Sequence, residues 1–398
     1  MKISCVICEF NPFHNGHEYM LHKMRENGAS HVVCIMSGNY TQRGEAAVYD
    51  KWTRAKAALA GGADLVIELP VTFACSYAQR FAFGGVYLAN ALGCADELAF
   101  GSESADIEIL TEAAVAVTNK KVQTELSVLL KSGITFAAAR EKAVEKIYGR
   151  EISSLLSSPN DILGIEYIKV LQELKSNIRP VTIKREGAGH NSRLASGKIA
   201  SAGYIRSLMD EESSIVNKYI PSSAVRICSQ AESQPPAGGR MKRLEEMLLY
   251  RLRTMSVSEI AALPEISEGL ENRLYSAVRK SVTAEEIMAY TKSKRYTHSR
   301  ISRILMYALL DFQKTGLPVQ PYYLRVLGLN TRGREILKTA GKTSSLPVVM
   351  RYADCTKNEN AKKMFEKESY CDDIYSLCGT QRNICGTNMT TRPFIALE

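Results

Sequence analysis

The residues best suited to chemistry stand together near the N-terminus, in Glu9-Phe10-Asn11-Pro12-Phe13-His14-Asn15-Gly16-His17. An apolar run, Ile3 to Ile7, precedes this segment, and a helix-like stretch, Glu18 to Asn27, follows it. A strand, a tight turn and a helix start make an anion site, because free backbone N–H groups and the positive end of the helix dipole converge there. His14 and His17, three apart at the helix start, reach one point and donate hydrogen bonds to a phosphate as charge develops on it. Gly16 lacks the Cβ that would hold the backbone away from a ligand. His-x-Gly-His also arises by chance as two ligand-free histidines; its weight comes from its place between the first strand and the first helix. Other phosphate loops are missing from the sequence. Gly197-Lys198 is followed by Ile199 where a Walker A loop needs Ser or Thr, and no G-x-G-x-x-G occurs.

Such a corner needs a sheet behind it. The apolar pattern predicts strands at Ile3–Ile7, His31–Met36, Asp64–Leu69, Glu97–Phe100 and Ile178–Lys184. Between them it predicts helices at Glu18–Asn27, Tyr49–Ala60, Gln79–Ala91, Asp106–Lys131 and Ile162–Leu174. This alternation points to an α/β fold, a doubly wound, Rossmann-like parallel sheet that binds ligands outside the carboxyl ends of its strands. The polar loops Asn11–His17, Ser37–Gly44 and Gly101–Glu103 each follow a strand, as one crevice requires. The second half differs. Residues 230–241 form a turn-rich linker or long loop, and beyond it the apolar period is 3.6. Over Ser299–Phe312, Ile301, Ile304, Leu305, Ala308, Leu309 and Phe312 make one stripe, with Arg300, Arg303 and Tyr307 on another face. The expected organisation is a nucleotide-binding α/β domain over 1–215 and a basic, mainly helical domain over 216–398.

Composition narrows the class. A hydrophobic content of 45% and a charged content of 23% are those of an ordinary globular chain of two or three domains. No apolar run approaches the ~18 residues of a membrane span, and the N-terminus carries no cationic, apolar leader, so a cytoplasmic protein is expected. Cys5 and Cys8 have C-x-x-C spacing, but on a strand they point to opposite faces. Cys355, Cys371, Cys378 and Cys385 lack the paired spacing of a zinc site, so no metal site is expected and buried free thiols are. Residues 1–210 carry 23 Lys and Arg against 22 Asp and Glu; residues 211–398 carry 28 against 20. The basic excess therefore belongs to the second half, which suggests a polyanionic partner for it or a solvated basic surface.

The polar motifs also form a series. Phe10-Asn11-Pro12-Phe13-His14-Asn15-Gly16-His17 is followed by Met36-Ser37-Gly38-Asn39-Tyr40-Thr41-Gln42-Arg43-Gly44-Glu45 and Asp50-Lys51-Trp52-Thr53-Arg54-Ala55. Gly62-Ala63-Asp64-Leu65-Val66-Ile67-Glu68-Leu69-Pro70, Phe100-Gly101-Ser102-Glu103, Pro159-Asn160-Asp161 and Lys184-Arg185-Glu186-Gly187 come next. The His-x-Gly-His element is shared with the nucleotidyltransferase superfamily that includes class I aminoacyl-tRNA synthetases. The whole series closely resembles the bacterial tRNA(Met) cytidine acetate ligase family, over most of the chain. The resemblance implies that ATP and acetate give acetyl-adenylate and pyrophosphate. The acetyl group would then pass to N4 of the wobble cytidine of elongator tRNA(Met). Residue types alone lead only to an adenylate-forming domain beside a basic helical one. They leave open a small-metabolite adenylyltransferase and a non-catalytic RNA-binding protein.

On this reading ATP, with Mg2+, lies along Ile7, Cys8, Glu9, Phe10, Asn11, Pro12, Phe13, His14, Asn15, Gly16, His17, Glu18, Tyr19 and Met20. His14 and His17 stabilise phosphate charge. Gly101 gives close approach to the nucleoside, Asn160 an amide for base or ribose, and Arg185 a donor fork. Ser158-Pro159-Asn160-Asp161 is equally a helix start. The superfamily's Ile-Ser-Ser-Thr-x-x-Arg element appears here as Ile199-Ala200-Ser201-Ala202-Gly203-Tyr204-Ile205-Arg206, with one hydroxyl. Ser201 and Arg206 hold phosphate oxygens, or are a plain cap and a surface arginine. Arg43, Lys51 and Arg54 contact phosphate or tRNA, or line a solvated helix face. For tRNA the best patch is Lys292, Lys294, Arg295, Tyr296, His298, Arg300 and Arg303, where cations interleave with rings able to stack on unpaired bases. Arg325, Arg332, Arg334 and Lys338 form a second cluster.

Overall fold

A computed structural model of the chain describes residues 1–185, 197–211, 213–233, 240–378 and 384–396. Five parallel strands form the expected sheet: β1 Ile3–Cys8, β2 His31–Ser37, β3 Leu65–Leu69, β4 Glu97–Ser102 and β5 Arg179–Lys184. All six residues of β1 and all seven of β2 are buried, as expected where helices cover both faces of a parallel sheet. The strand order runs β5-β4-β1-β2-β3. Winding therefore reverses at β1, and the crevice opens beyond its carboxyl end, where such sheets bind ligands. Gly101 and Ser102 are the last two residues of β4 and not loop residues, with Gly101 paired to Ile183.

Helices cover the sheet in two layers. Phe73, Phe81, Val86, Phe100 and Tyr167 lie in one; Phe10, Phe13, Leu21, Met24 and Ala55 lie in the other. Cys5 falls in the first layer and Cys8 in the second, the opposite orientation expected of a three-residue separation on a strand. All ten cysteines are free. The first helix is Asn15–Glu26 and begins three residues before Glu18, because His14 caps it. The predicted 106–131 helix divides at Asn119 into Ile107–Thr118 and Lys120–Lys131; the Asn119 side chain caps the second.

The second half is mainly helical, yet it returns to the sheet. β6 Leu324–Leu329 pairs antiparallel with β3, and β7 Val348–Val349 and β8 Phe394–Ile395 pair with β6. The stripe helix spans His298–Leu309 and is buried on every side from Ile301 on. Ile301, Ile304 and Leu305 join a helical core with Leu248, Leu252 and Leu274. The polar face is covered as well. Ser302 Oγ donates to the Gly44 carbonyl at 2.9 Å, and Tyr307 Oη to the Cys75 carbonyl at 2.7 Å. Residues 234–239 of the predicted linker, and Glu186 and Gly187, lie outside the described residues.

Candidate active site

At the end of β1, Phe10 takes a left-handed backbone conformation (φ +49°) that bulky residues rarely adopt, and Asn11–Pro12 is a cis peptide. The Phe10 ring is wedged between Phe13 and His17, with centroids 5.0 and 4.8 Å away. His14 Nδ1 accepts from the Gly16 amide at 3.1 Å, and His17 Nδ1 accepts from the His14 amide at 3.3 Å. With both Nδ1 atoms acting as acceptors, each neutral ring carries its proton on Nε2. The rings stack with centroids 3.6 Å apart. Burial drives the His14 pKa down to about 3, and Arg185 and Arg206 push the same way. His17 is lowered by burial, then by His14 and Arg185. Gly16 serves this arrangement: a Cβ there would sit 3.0 Å from His14 Cε1.

The histidines open into a cavity of about 550 Å3. Of the predicted nucleotide residues, Ile7, Cys8, Glu9, Phe10, Asn11, His14, Gly16, His17, Tyr19, Met20, Gly101, Asn160 and Arg185 line it. Pro12, Phe13, Asn15 and Glu18 do not. Phe13 is buried against Gly61, Asn15 donates to the Lys198 and Lys218 carbonyls, and Glu18 accepts from Ser223. These residues hold the corner rather than face a ligand.

At the opposite wall the helix Pro159–Glu173 starts with Pro at its first position, so the helix-start reading of Ser158-Pro159-Asn160 is correct. That start also places Asn160 in the cleft. Asn160 Nδ2 donates to Glu103 Oε1 at 2.5 Å, and its Oδ1 accepts from Arg185 at 3.3 Å. Asp161 accepts from Ser102 Oγ and from the Glu103 amide, which fixes the end of β4. A Cβ on Gly101 would lie 3.3 Å from Arg185 Cγ, so the glycine lets that side chain cross the strand end. Ser201 caps the helix Ala202–Glu211 through the Tyr204 amide. Arg206, one turn on, is no surface arginine: it lines the cleft and donates to the Asn11 carbonyl at 2.9 Å.

Four basic residues have different tasks from those expected. Lys51 and Arg54 are fully buried, so neither a solvated face nor a phosphate contact describes them. Arg54 donates to the Tyr49, Glu9, Ser37 and Gly38 carbonyls, tying the ends of β1 and β2 together. Lys51 Nζ lies 2.7 Å from both Glu68 and Asp372. Arg325 is also buried, over the Phe365 and Trp52 rings, and leaves the second cluster to Arg332, Arg334 and Lys338. In the first patch Arg303 is 6% exposed and paired through two nitrogens with Glu265, which removes it as a tRNA contact. Tyr296 is buried beneath Arg300 and has no free face for a base. Lys294 and Arg295 are exposed, Arg295 beside Glu268, and Arg300 reaches back to the Glu265 carbonyl.

Sequence reasoning missed Gln42, Phe81, Phe100, Leu163 and Tyr167, all of which line the cleft. The signal for Phe81 was the Gly84-Gly85 pair inside a helix: a Cβ at Gly85 would strike Ile7 at 2.6 Å.

Comparison with known proteins bears on the family and the fold. The family model described as HIGH Nucleotidyl Transferase matches residues 1–388. The "tRNA(Met) cytidine acetate ligase" of Thermoanaerobacter sp. (strain X514) is 40% identical, with all of both chains covered. That of Caldanaerobacter subterraneus subsp. tengcongensis is 39% identical over 95% of each. Crystal structures of Thermotoga maritima TmcAL, 32% identical and covered in full, superimpose with TM-scores of 0.94 (apo) and 0.92 (bound with alpha-thio ATP). On sequence and fold alike, this chain belongs to the HIGH nucleotidyltransferases and, within them, to the tRNA(Met) cytidine acetate ligase family.

Proposed function

We propose that this chain is an ATP-dependent ligase that activates acetate as acetyl-adenylate and passes the acetyl group to N4 of the wobble cytidine of elongator tRNA(Met). The observation that carries it is the pair of neutral, stacked imidazoles at a helix N-terminus, facing a cleft with Arg185 and Arg206. An acetate oxygen attacks the α-phosphorus, and pyrophosphate leaves with the electron pair of the broken P–O bond. Nε2–H donors on His14 and His17 and the dipole of the Asn15–Glu26 helix stabilise the charge gathering on phosphate oxygens. Held in place, they act by positioning and electrostatics without covalent chemistry. Asn160, oriented by Glu103, and Arg185 grip the nucleoside side, where Gly101 allows close approach. Among the described residues no group of three or more His, Cys, Asp or Glu side chains is placed to hold a metal ion. Mg2+ would therefore travel on the triphosphate, its usual mode with nucleotides.

The second half supplies the anticodon contacts, with Lys294, Arg295 and Arg300 the remaining candidates. A cytidine amine has to reach the cleft, so the wobble base leaves its stack, at modest cost in a single-stranded loop. A tRNA substrate places the reaction in the cytoplasm. The test is ATP–pyrophosphate exchange with and without acetate, followed by addition of tRNA. Acetate-dependent exchange and ATP-dependent N4-acetylcytidine are expected. Exchange indifferent to acetate, or acetylation from acetyl-CoA without ATP, would overturn the reading.

A further inference from the structure

The cleft has two unlike walls. Beside the histidines, Phe10 belongs to one layer of the sheet; across β1, Ile7, Phe81, Phe100 and Tyr167 belong to the other. These four and Leu163 form an apolar recess of the cavity. Close helix approach shapes it. A Cβ at Gly85 would strike Ile7, and one at Gly164 would lie 2.5 Å from Phe100 Cε2. The Phe100 and Tyr167 rings meet edge to face at 5.7 Å. Tyr167 is 4% exposed, and among the described residues its hydroxyl has no hydrogen-bond partner. A buried phenol nearly always finds a partner, so one left open toward a cleft is suited to a ligand's polar atom. Of the carboxylates lining the same cleft, Glu9 and Glu45, Glu9 is pushed up by burial but engaged by the Gln42 amide at 2.7 Å, and Arg206 and Arg43 oppose its charge. A small anion is therefore tolerated beside it.

We propose that this recess is the acyl subsite, in which Ile7, Phe81 and Phe100 receive the methyl group of acetate and the Tyr167 hydroxyl donates to one carboxylate oxygen. The proposal rests on the ligase reading above. The oxygen held by Tyr167 is the one that does not attack phosphorus. The other forms the new O–P bond as pyrophosphate departs, and the held oxygen becomes the acetyl carbonyl. When the cytidine N4 attacks the carbonyl carbon, charge builds on that oxygen. AMP then leaves with the electron pair of the C–O bond, and N4 gives up one proton. Tyr167 thus holds substrate in the first step and stabilises the oxyanion in the second. A recess walled by two phenylalanines also limits acyl length, since one methylene in a fitted pocket changes discrimination by 10-fold or more.

The test is steady-state exchange with separate titrations of acetate, propionate and ATP. Tyr167→Phe keeps the ring and removes the donor; it should raise KM for acetate ~10-fold, as loss of a hydrogen bond to a charged group does, and leave KM for ATP unchanged. Phe81→Leu should raise the propionate-to-acetate ratio of kcat/KM ~10-fold. An unchanged acetate KM in Tyr167→Phe, or acetate and ATP KM values rising together, would overturn the subsite, as would an unchanged acyl ratio in Phe81→Leu. Absence of acetate-dependent exchange in the parent chain would instead defeat the ligase reading.

Discussion

The corner at the end of β1 and the basic face around residues 292–303 are both rows of polar side chains at helix spacing, but they are held in opposite ways. In the corner, each imidazole is fixed by a backbone amide two or three residues away, so motif spacing sets the geometry. Around 292–303 the spacing sets nothing. Lys292, Lys294 and His298 face solvent, Arg300 hooks onto the Glu265 carbonyl, and Tyr296 and Arg303 are buried. Docking decides which cations stay free: where the first-half loop covers the His298–Leu309 helix, a cation becomes a strut and its charge is matched inside. Lys51, between Glu68 and Asp372, and Arg54, among four carbonyls, follow the same rule. Two cations in the motif series, Lys51 and Arg54, proved to be internal ties.

That contrast can be broken at several points. The largest effect should come from a strut. Lys51→Met leaves Glu68 and Asp372 buried without their cation and should lower stability by ~3–5 kcal/mol, read by urea unfolding. A loss under about 1 kcal/mol would mean that Lys51 is no tie between the halves. Next comes the corner. His14→Ala or His17→Ala should cut acetate-dependent exchange ~10²-fold or more, as removal of an oxyanion donor does, and exchange within a few-fold of the parent would remove both histidines from the chemistry.

The same histidines carry a pH signature. With its folded pKa near 3, well below the ordinary 6.5, His14 favours the neutral form, so the unfolded chain binds more protons as pH falls. Its contribution is complete above about pH 6.5 and lost as pH drops toward 3. By pH 5 that is roughly 2 kcal/mol, and the parent should lose more stability between pH 7 and pH 5 than His14→Ala does. Equal losses would mean that His14 is not buried neutral. The smallest effect belongs to the solvated face. Lys294→Ala, Arg295→Ala and Arg300→Ala combined should weaken tRNA binding about tenfold at low salt and flatten its salt dependence, because fewer counterions are released. Acetyl-adenylate formation without tRNA should persist. An unchanged salt slope would move the tRNA surface elsewhere, with Arg332, Arg334 and Lys338 next in line.

What the sequence determined by itself was everything governed by neighbours along the chain. Alternating apolar runs specified the five parallel strands to within a residue or two. In β1 and β2 the reason is that a strand buried on both faces must be apolar throughout, while the edge strand β5 is only partly buried. The motif between Ile7 and Met20 named the corner, because its capping bonds span only two or three residues. Gly101, Asn160 and Arg185 were legible through their places at strand ends and at a helix start. Tertiary structure alone decided the rest. β6 looked like any short apolar run, and only its pairing with β3, more than 250 residues away in sequence, made it part of the sheet. Tyr167 and Phe81 fall inside predicted helices, and contact between those helices and Ile7 or Phe100 turned them into a cleft wall. The fate of each arginine and lysine was the least legible feature. A cation on a helix has the same sequence signature in water as in a buried ion pair, and the difference lies in which distant carboxylate or carbonyl the fold brings to it.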